Sequence, residues 1–312
     1  AAVGGAALPA CSLGLESESS YIGAPDAAIS PIPGLDGAAG TDADTTDVTM
    51  TETSADVGIP ETSPEGASSG GPDAAPDVGP ADAGIDVAVP PAVLQLYYSF
   101  DDVDAGAGVV LDHSGNGLNA DLKGNTLPTI DPLGHTGHGL TLDGSQNQYA
   151  QLPSGLVAGF ESISVACWIN LKTSAIWNRL FDFNSGDTVW MYFSPTGWNP
   201  TTSQPGTHFA ISTGNHLDPE MILTTTLPVG AWHHVAIVLY KPYLIYYVDG
   251  VEQSRLTDMT LGPQDIGSTP QNWIGRSSYP TDPYLSATLD EFRIYSGALT
   301  PPQVAQLAGT SP

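Results

Sequence analysis

The sequence predicts an all-β fold, a sandwich or jelly roll, following a long disordered acidic tether. Three observations lead there. Short apolar stretches recur throughout residues 93–312 between clusters of Gly, Pro, Asn and Asp, with turns too frequent for helices. Many of these stretches alternate apolar and polar residues with period two. All six Trp lie in this region, whereas residues 1–92 contain one aromatic, Tyr21, and no Lys or Arg.

The strands follow in chain order. "VLQLYYSF" is the first. In "LNADLKG", Leu118, Ala120 and Leu122 face one way and Asn119, Asp121 and Lys123 the other. "LTLDGSQNQYAQL" reads as a hairpin through a longer polar loop. "SISVACWINL" sets Val165, Cys167 and Ile169 opposite Ser164, Ala166 and Trp168, which makes Cys167 a small buried hydrophobe. "RLFDF", "VWMYFS", "HFAIST", "EMILTT" and "WHHVAIVLY" continue the series. "YYVDGVEQS" is a tight hairpin with Asp249-Gly250 at its tip, a pair suited to positive φ. "NWIGRS" and "YLSATLDEFRIY" close the strands. One helix is expected at the end. In "ALTPPQVAQLAG", Thr300 caps, Pro301 takes the first helical position and Gln303 completes a capping box.

Residues 12–92 consist largely of Ala, Asp, Gly, Pro, Ser and Thr. They hold too little apolar surface to offset the entropy of ordering them, so they are expected to be disordered. The formal net charge of −27 comes from 7 Lys+Arg against 34 Asp+Glu. So acidic a surface repels nucleic acid and anionic membrane. No apolar run is long enough for a spanning helix.

Residues 1–11, "AAVGGAALPAC", resemble the end of a bacterial lipoprotein signal, with "LPAC" matching loosely and Pro9 a departure. The resemblance implies lipid on Cys11 and a protein anchored outside the cytoplasm, at the outer membrane or cell surface, with the acidic segment as stalk. The alternative is an apolar stretch with a chance cysteine. Only two Cys exist, Cys11 and Cys167, and a disulfide would have to span the whole tether.

"YYSFDD", "DHSGNGLNA", "GHGLTLDGS", "SISVACWI", "LPVGAWHHVAIV", "IYYVDGV", "NWIGRS" and "LDEFRIYSGALTPPQVAQL" fall in an order that resembles bacterial laminin-G-like domains of the concanavalin A-like lectin/glucanase superfamily. The resemblance covers about residues 93–309. It implies two antiparallel sheets packed face to face and a role in carbohydrate binding or adhesion. Ala287 stands where the pattern usually has Gly, so the last strand is expected to bend less there.

"DHSGNG" at 112–117 is the first candidate site. Alternation puts Asp290 on the face of Phe292 and Ile294, where a carboxylate needs compensation. Asp101, Asp112, Asn116 and Asp290 supply hard oxygens suited to calcium, and the resemblance implies a structural calcium near these pieces. In the competing reading Asp112 caps its own turn and Asp290 accepts loop amides. A metal cluster of His113, His135 and His138 is a weaker candidate.

A sugar site needs aromatic platforms. Trp198, in a loop without strand pattern, leads. Trp177 follows, and Tyr279 and Tyr284 frame the "SSYPTDPY" loop. Trp168, Trp190, Trp232 and Trp273 sit in or against strands. The superfamily's glucanases carry E-x-D-x-x-E on one strand face, and that spacing is missing. Asp290 and Glu291 are adjacent and point apart, as do His233 and His234. The sequence therefore reads as a non-enzymatic binding or adhesion module for carbohydrate or a cell-surface ligand. A glycan-processing enzyme of the same fold and a surface spacer without ligand are the alternatives.

Overall fold

The computed structural model describes residues 88–102 and 108–309. The lipidation candidate Cys11, the segment 1–11 and the tether up to residue 87 lie outside the described residues. The described residues form sixteen strands: β1 (Val93–Tyr98), β2 (Val109–Val110), β3 (Ala120–Lys123), β4 (Thr129–Asp131), β5 (Gly139–Leu142), β6 (Tyr149–Leu152), β7 (Ile163–Leu171) and β8 (Phe181–Asn184) come first. Then follow β9 (Val189–Asn199), β10 (Gln204–Thr213), β11 (Met221–Ile222), β12 (Trp232–Tyr240), β13 (Tyr243–Val248), β14 (Val251–Leu256), β15 (Gln271–Ile274), β16 (Ala287–Ser296) and the helix α1 (Pro301–Leu307).

They make two antiparallel sheets, as the sequence predicts. The first runs β14-β13-β12-β7-β16-β5-β4, with β1 also on β16; the second runs β11-β10-β9-β8-β15-β6-β3-β2. The facing sides bury Val165, Cys167, Ile169, Ile237, Phe292 and Ile294 against Phe181, Phe183, Phe193, Phe209 and Ile274. Cys167 is free and buried, as its alternation implies. Burial also alternates along β3, with Ala120 and Leu122 inside. The β13–β14 turn is a two-residue hairpin with positive φ at Asp249 and Gly250. Gln303 Oε1 accepts the Thr300 N–H at the start of α1. The helix lays Val304 on the outer side of the first sheet, beside Ala236 and Val238.

Three expectations change. "LTLDGSQNQYAQL" is not a hairpin: β5 pairs with β16 and β4 in one sheet, and β6 with β15 and β3 in the other. Alternation identifies both strands but cannot say that the chain crosses between layers. Asp290 does not share a face with Phe292. Register shifts between Asp290 and Arg293, and Glu291 has φ 55°. This bulge adds one residue and reverses the alternation. Asp290 therefore lies opposite Trp168 on the outer side while Phe292 and Ile294 stay in the core. Finally, contacts with the domain begin before residue 93, since Pro91 bridges to Ala298 and the Pro90 carbonyl accepts the Ala298 N–H.

β1 and β5 lie in succession along one edge of β16: β5 against Ala287–Leu289 and β1 against Phe292–Ser296. The bulge at Glu291 sits at their junction. This placement gathers the residues described next.

Candidate functional site

"DHSGNG" is a self-capped turn that grips β1. Asp112 Oδ1 accepts the N–H groups of Tyr97 (3.0 Å) and Ser114 (2.9 Å), and Oδ2 accepts the Leu118 N–H (2.9 Å) and the Ser114 hydroxyl (2.8 Å). Partial burial pushes this carboxyl up, but the amide donors outweigh it and hold it below the usual carboxylate range. The Asn116 amide donates to the Gln95 carbonyl (2.9 Å). Both residues are thus committed to the turn and to β1.

Asp101 and Asp290 meet elsewhere, at the β1/β5 junction. They hold the segment between β4 and β5: the Thr136 N–H donates to Asp290 Oδ2 and the His138 N–H to Asp101 Oδ1, both at 2.8 Å. Gly137, at φ 63°, allows this approach, because a Cβ there would collide with the Asp101 carboxylate. Asp290 is fully buried and its Oδ1 has no hydrogen-bond partner. Burial pushes its carboxyl up to about 7; the Thr136 and Glu291 N–H groups oppose this, and the charges of Glu291 and Asp101 add to it. The four oxygen-bearing residues named from the sequence therefore fall into two pairs. Among the described residues no three His, Cys, Asp or Glu side chains are grouped to hold a metal, which removes the His113, His135 and His138 cluster. His135 instead stacks on Trp168, with ring centroids 3.4 Å apart.

A groove of about 440 Å³ opens where three loops meet. Asp143, Ser145 and Asn147 come from the β5–β6 crossover, Thr173 from the loop after β7, and Asp282 and Tyr284 from the β15–β16 loop. The lining mixes hydroxyl, amide and carboxylate groups with Ala175, Pro280, Pro283 and one aromatic, Tyr284. Both carboxylates are engaged. Asp143 caps the turn at Ser145 N–H (2.9 Å), and Asp282 accepts from Arg179 (3.2 Å) and the Ser277 hydroxyl (2.7 Å).

Arg179, only 2% exposed, is the support behind this wall. Its guanidinium lies 3.8 Å from the Tyr192 ring centroid and 5.5 Å from that of Trp177. It stands 3.8 Å from the buried Asp182. Burial raises the Asp182 and Asp282 carboxyls, with the Arg179 charge opposing. Trp177, half-buried at φ 71°, tilts against His208.

The four aromatic candidates therefore separate. Tyr284 lines the groove, and Trp177 lies behind it through Arg179. Tyr279 is turned aside, its hydroxyl donating to the Asp187 carbonyl (2.8 Å). Trp198, 37% exposed, is not in a patternless loop: it belongs to β9 and pairs with Pro205 of β10. It is not among the groove residues. Sequence reasoning missed Arg179 and the crossover loop. Arg179 carried a detectable signal as one of 7 bases among 34 acids, set beside an aromatic-rich run.

Comparison with known proteins agrees with this architecture. Residues 143–305 match the Laminin_G_3 family model, described as the concanavalin A-like lectin/glucanases superfamily. Domain 4 of AbnA, a GH43 extracellular arabinanase from Geobacillus stearothermophilus solved in complex with arabinotriose, is 26% identical. It aligns with a TM-score of 0.58 over 70% of this chain and 98% of that one. The binding domain of botulinum neurotoxin serotype D/C aligns at 13% identity and TM-score 0.51, and that of Paraclostridial Mosquitocidal Protein 1 at 16% and 0.51. Each covers 70% of this chain, which spans only 52% and 51% of those two, and at such identity they share the fold. No curated protein matches the chain.

Proposed function

This chain belongs to the concanavalin A-like lectin/glucanase superfamily, and we propose that it is a non-catalytic module binding carbohydrate in the groove beside Tyr284. The observation that carries this reading is a loop-built groove of sugar-sized volume in which hydroxyl, amide and carboxylate groups stand beside two prolines and one aromatic ring. The 26% identical arabinanase domain, solved with arabinotriose, supports a carbohydrate ligand. The missing E-x-D-x-x-E spacing of the superfamily's glucanases supports binding without turnover.

A structural calcium is part of the proposal, with a changed ligand set. Asp112 and Asn116 do not fit, because their side chains already serve the turn. Asp101 and Asp290 do fit, because Asp290 Oδ1 is a buried oxygen without a donor and a second carboxylate stands on the same segment. The ion would neutralise that pair and fix the 134–138 segment to the junction of β1 and β5. Lipid anchoring through Cys11, outside the cytoplasm, completes the reading and rests on the "LPAC" resemblance. It predicts membrane partition of the wild type and a soluble Cys11→Ala form; equal partition removes the anchor.

A glycan array with the full chain, followed by a reducing-sugar assay on every hit, tests the function. Binding without new reducing ends is expected. Tyr284→Ala should weaken it about three- to tenfold without moving the melting temperature. Turnover of the hit, or Tyr284→Ala binding like wild type, overturns the reading.

A further inference from the structure

Arg276 is unusual among the charged groups. Three of the four arginines stand against carboxylates: Arg179 on Asp282, Arg255 on Glu252 and Arg293 on Glu291. Arg276 has none among the described residues, in a chain with 34 Asp+Glu. Nor is it loose. Its guanidinium carbon lies 4.1 Å from the Trp273 ring centroid and 4.8 Å from that of Tyr149, and one N–H donates to the Tyr149 hydroxyl at 2.9 Å. Two rings and one hydrogen bond hold the fork in place, while its other N–H groups have no acceptor among the described residues and are not sealed from solvent.

The local sequence sets this geometry. Gly275 ends β15 at φ 91°, where a Cβ would come within 2.6 Å of the Leu142 side chain. The chain can therefore turn tightly and leave Arg276 over Tyr149. That ring lies 6.0 Å from Tyr284, the aromatic wall of the groove. The fixed cation is thus one ring away from where the ligand is placed.

We propose that Arg276 reads a carboxylate on an acidic sugar of the bound glycan, an inference that rests on the carbohydrate reading of the groove. A planar, preoriented guanidinium matches a carboxylate through paired N–H donors. The chain's −27 charge repels polyanions, so the ligand is a largely neutral glycan bearing an isolated uronic acid rather than a densely charged polymer. A sulfate ester offers the same recognition chemistry, and the test separates the two.

The full chain is titrated with three matched probes. They are a neutral pentose oligosaccharide carrying one glucuronic acid, the same compound with its carboxyl reduced to the alcohol, and the analogue with one sulfate ester. The acid form should bind about ten- to a hundredfold tighter than the reduced form. Arg276→Gln should erase that preference while leaving affinity for the reduced form unchanged, and Arg276→Lys should restore only part of it. A role confined to covering Trp273 would move stability and all three affinities together, and that pattern overturns the proposal. Equal binding of acid and reduced forms by the wild type, which needs no variant to fold, overturns it while the carbohydrate reading stands. Tighter binding of the sulfate form replaces carboxylate with sulfate. Binding of none of the three, with an empty glycan array, removes both readings.

Discussion

His234 offers the sharpest test of how the outer side of the first sheet is built. It is 1% exposed, neither ring nitrogen has a hydrogen-bond partner, and its ring meets Trp168 edge-on at 5.4 Å. Burial pushes its pKa down to about 4; the Arg293 charge and His135 act the same way, and Asp249 opposes them. Against the 6.5 of an ordinary histidine, protonating the folded state is unfavourable by about 3 kcal/mol. The unfolded chain takes up the proton first as pH falls. Stability from neutral His234 is therefore complete above about pH 6.5 and is lost progressively down to about pH 4. His234→Phe keeps a ring against Trp168 and removes two unpartnered nitrogens. At pH 7.5 the variant should be about 1 kcal/mol more stable, the unsatisfied groups outweighing a small packing mismatch. At pH 4 the gap should widen to about 4 kcal/mol. Urea denaturation of both proteins at pH 7.5, 6, 5 and 4 measures this, and the difference between them cancels every other titrating group. A gap that stays constant across that range refutes the burial argument. A variant several kcal/mol weaker at pH 7.5 shows that the nitrogens had acceptors.

Two further perturbations address the junction and the turn. Chelation should lower the melting temperature and added calcium restore it, the bound ion stabilising the fold by about 2.7 kcal/mol at a hundredfold excess over Kd. Asp290→Asn should be indifferent to both treatments, and superimposable metal-free and calcium-loaded melting curves of the wild type rule out the ion. Asp112→Ala leaves three backbone N–H groups without their acceptor, so denaturant unfolding should show a loss of about 2–4 kcal/mol; a loss under about 0.5 kcal/mol means water replaces the carboxylate freely.

The core was legible because burial on one face imposes a period of two, and that period is visible wherever a strand is uninterrupted. Cys167, Val165 and Ile169 sit where alternation puts them. So do the Asp249-Gly250 turn and the cap at Thr300, which depend on neighbours in sequence. Properties held between distant segments escape such reasoning. Whether β5 and β6 pair with each other or with strands of different sheets depends on partners more than a hundred residues away, such as Asn272 opposite Leu152. The groove has no sequence signature, because its walls come from three loops that only the sandwich brings together. Trp198 is misread for a related reason. Gly197, Asn199 and Pro200 around it have the composition of a turn, yet the backbone pairing of Trp198 with Pro205 continues β9.

The bulge at Glu291 ties these points to the site. Without it Asp290 would face the core beside Phe292, and Glu291 and Arg293 would share the opposite face. With it, Asp290 and Arg293 both reach the outer side, opposite Trp168 and Ala166. Arg293 then stacks on Tyr97, at 4.1 Å, and pairs with Glu291, whose other oxygen accepts the Tyr97 hydroxyl at 2.7 Å. That network clamps β1 to β16 on one side of the junction. On the other side Asp290 must hold the segment between β4 and β5, and that segment gives it only the Thr136 N–H. One carboxylate oxygen is satisfied by backbone and the other is buried without a donor. The orphan oxygen thus follows from topology: two strands share one edge, and the bulge between them turns an acid toward the gap.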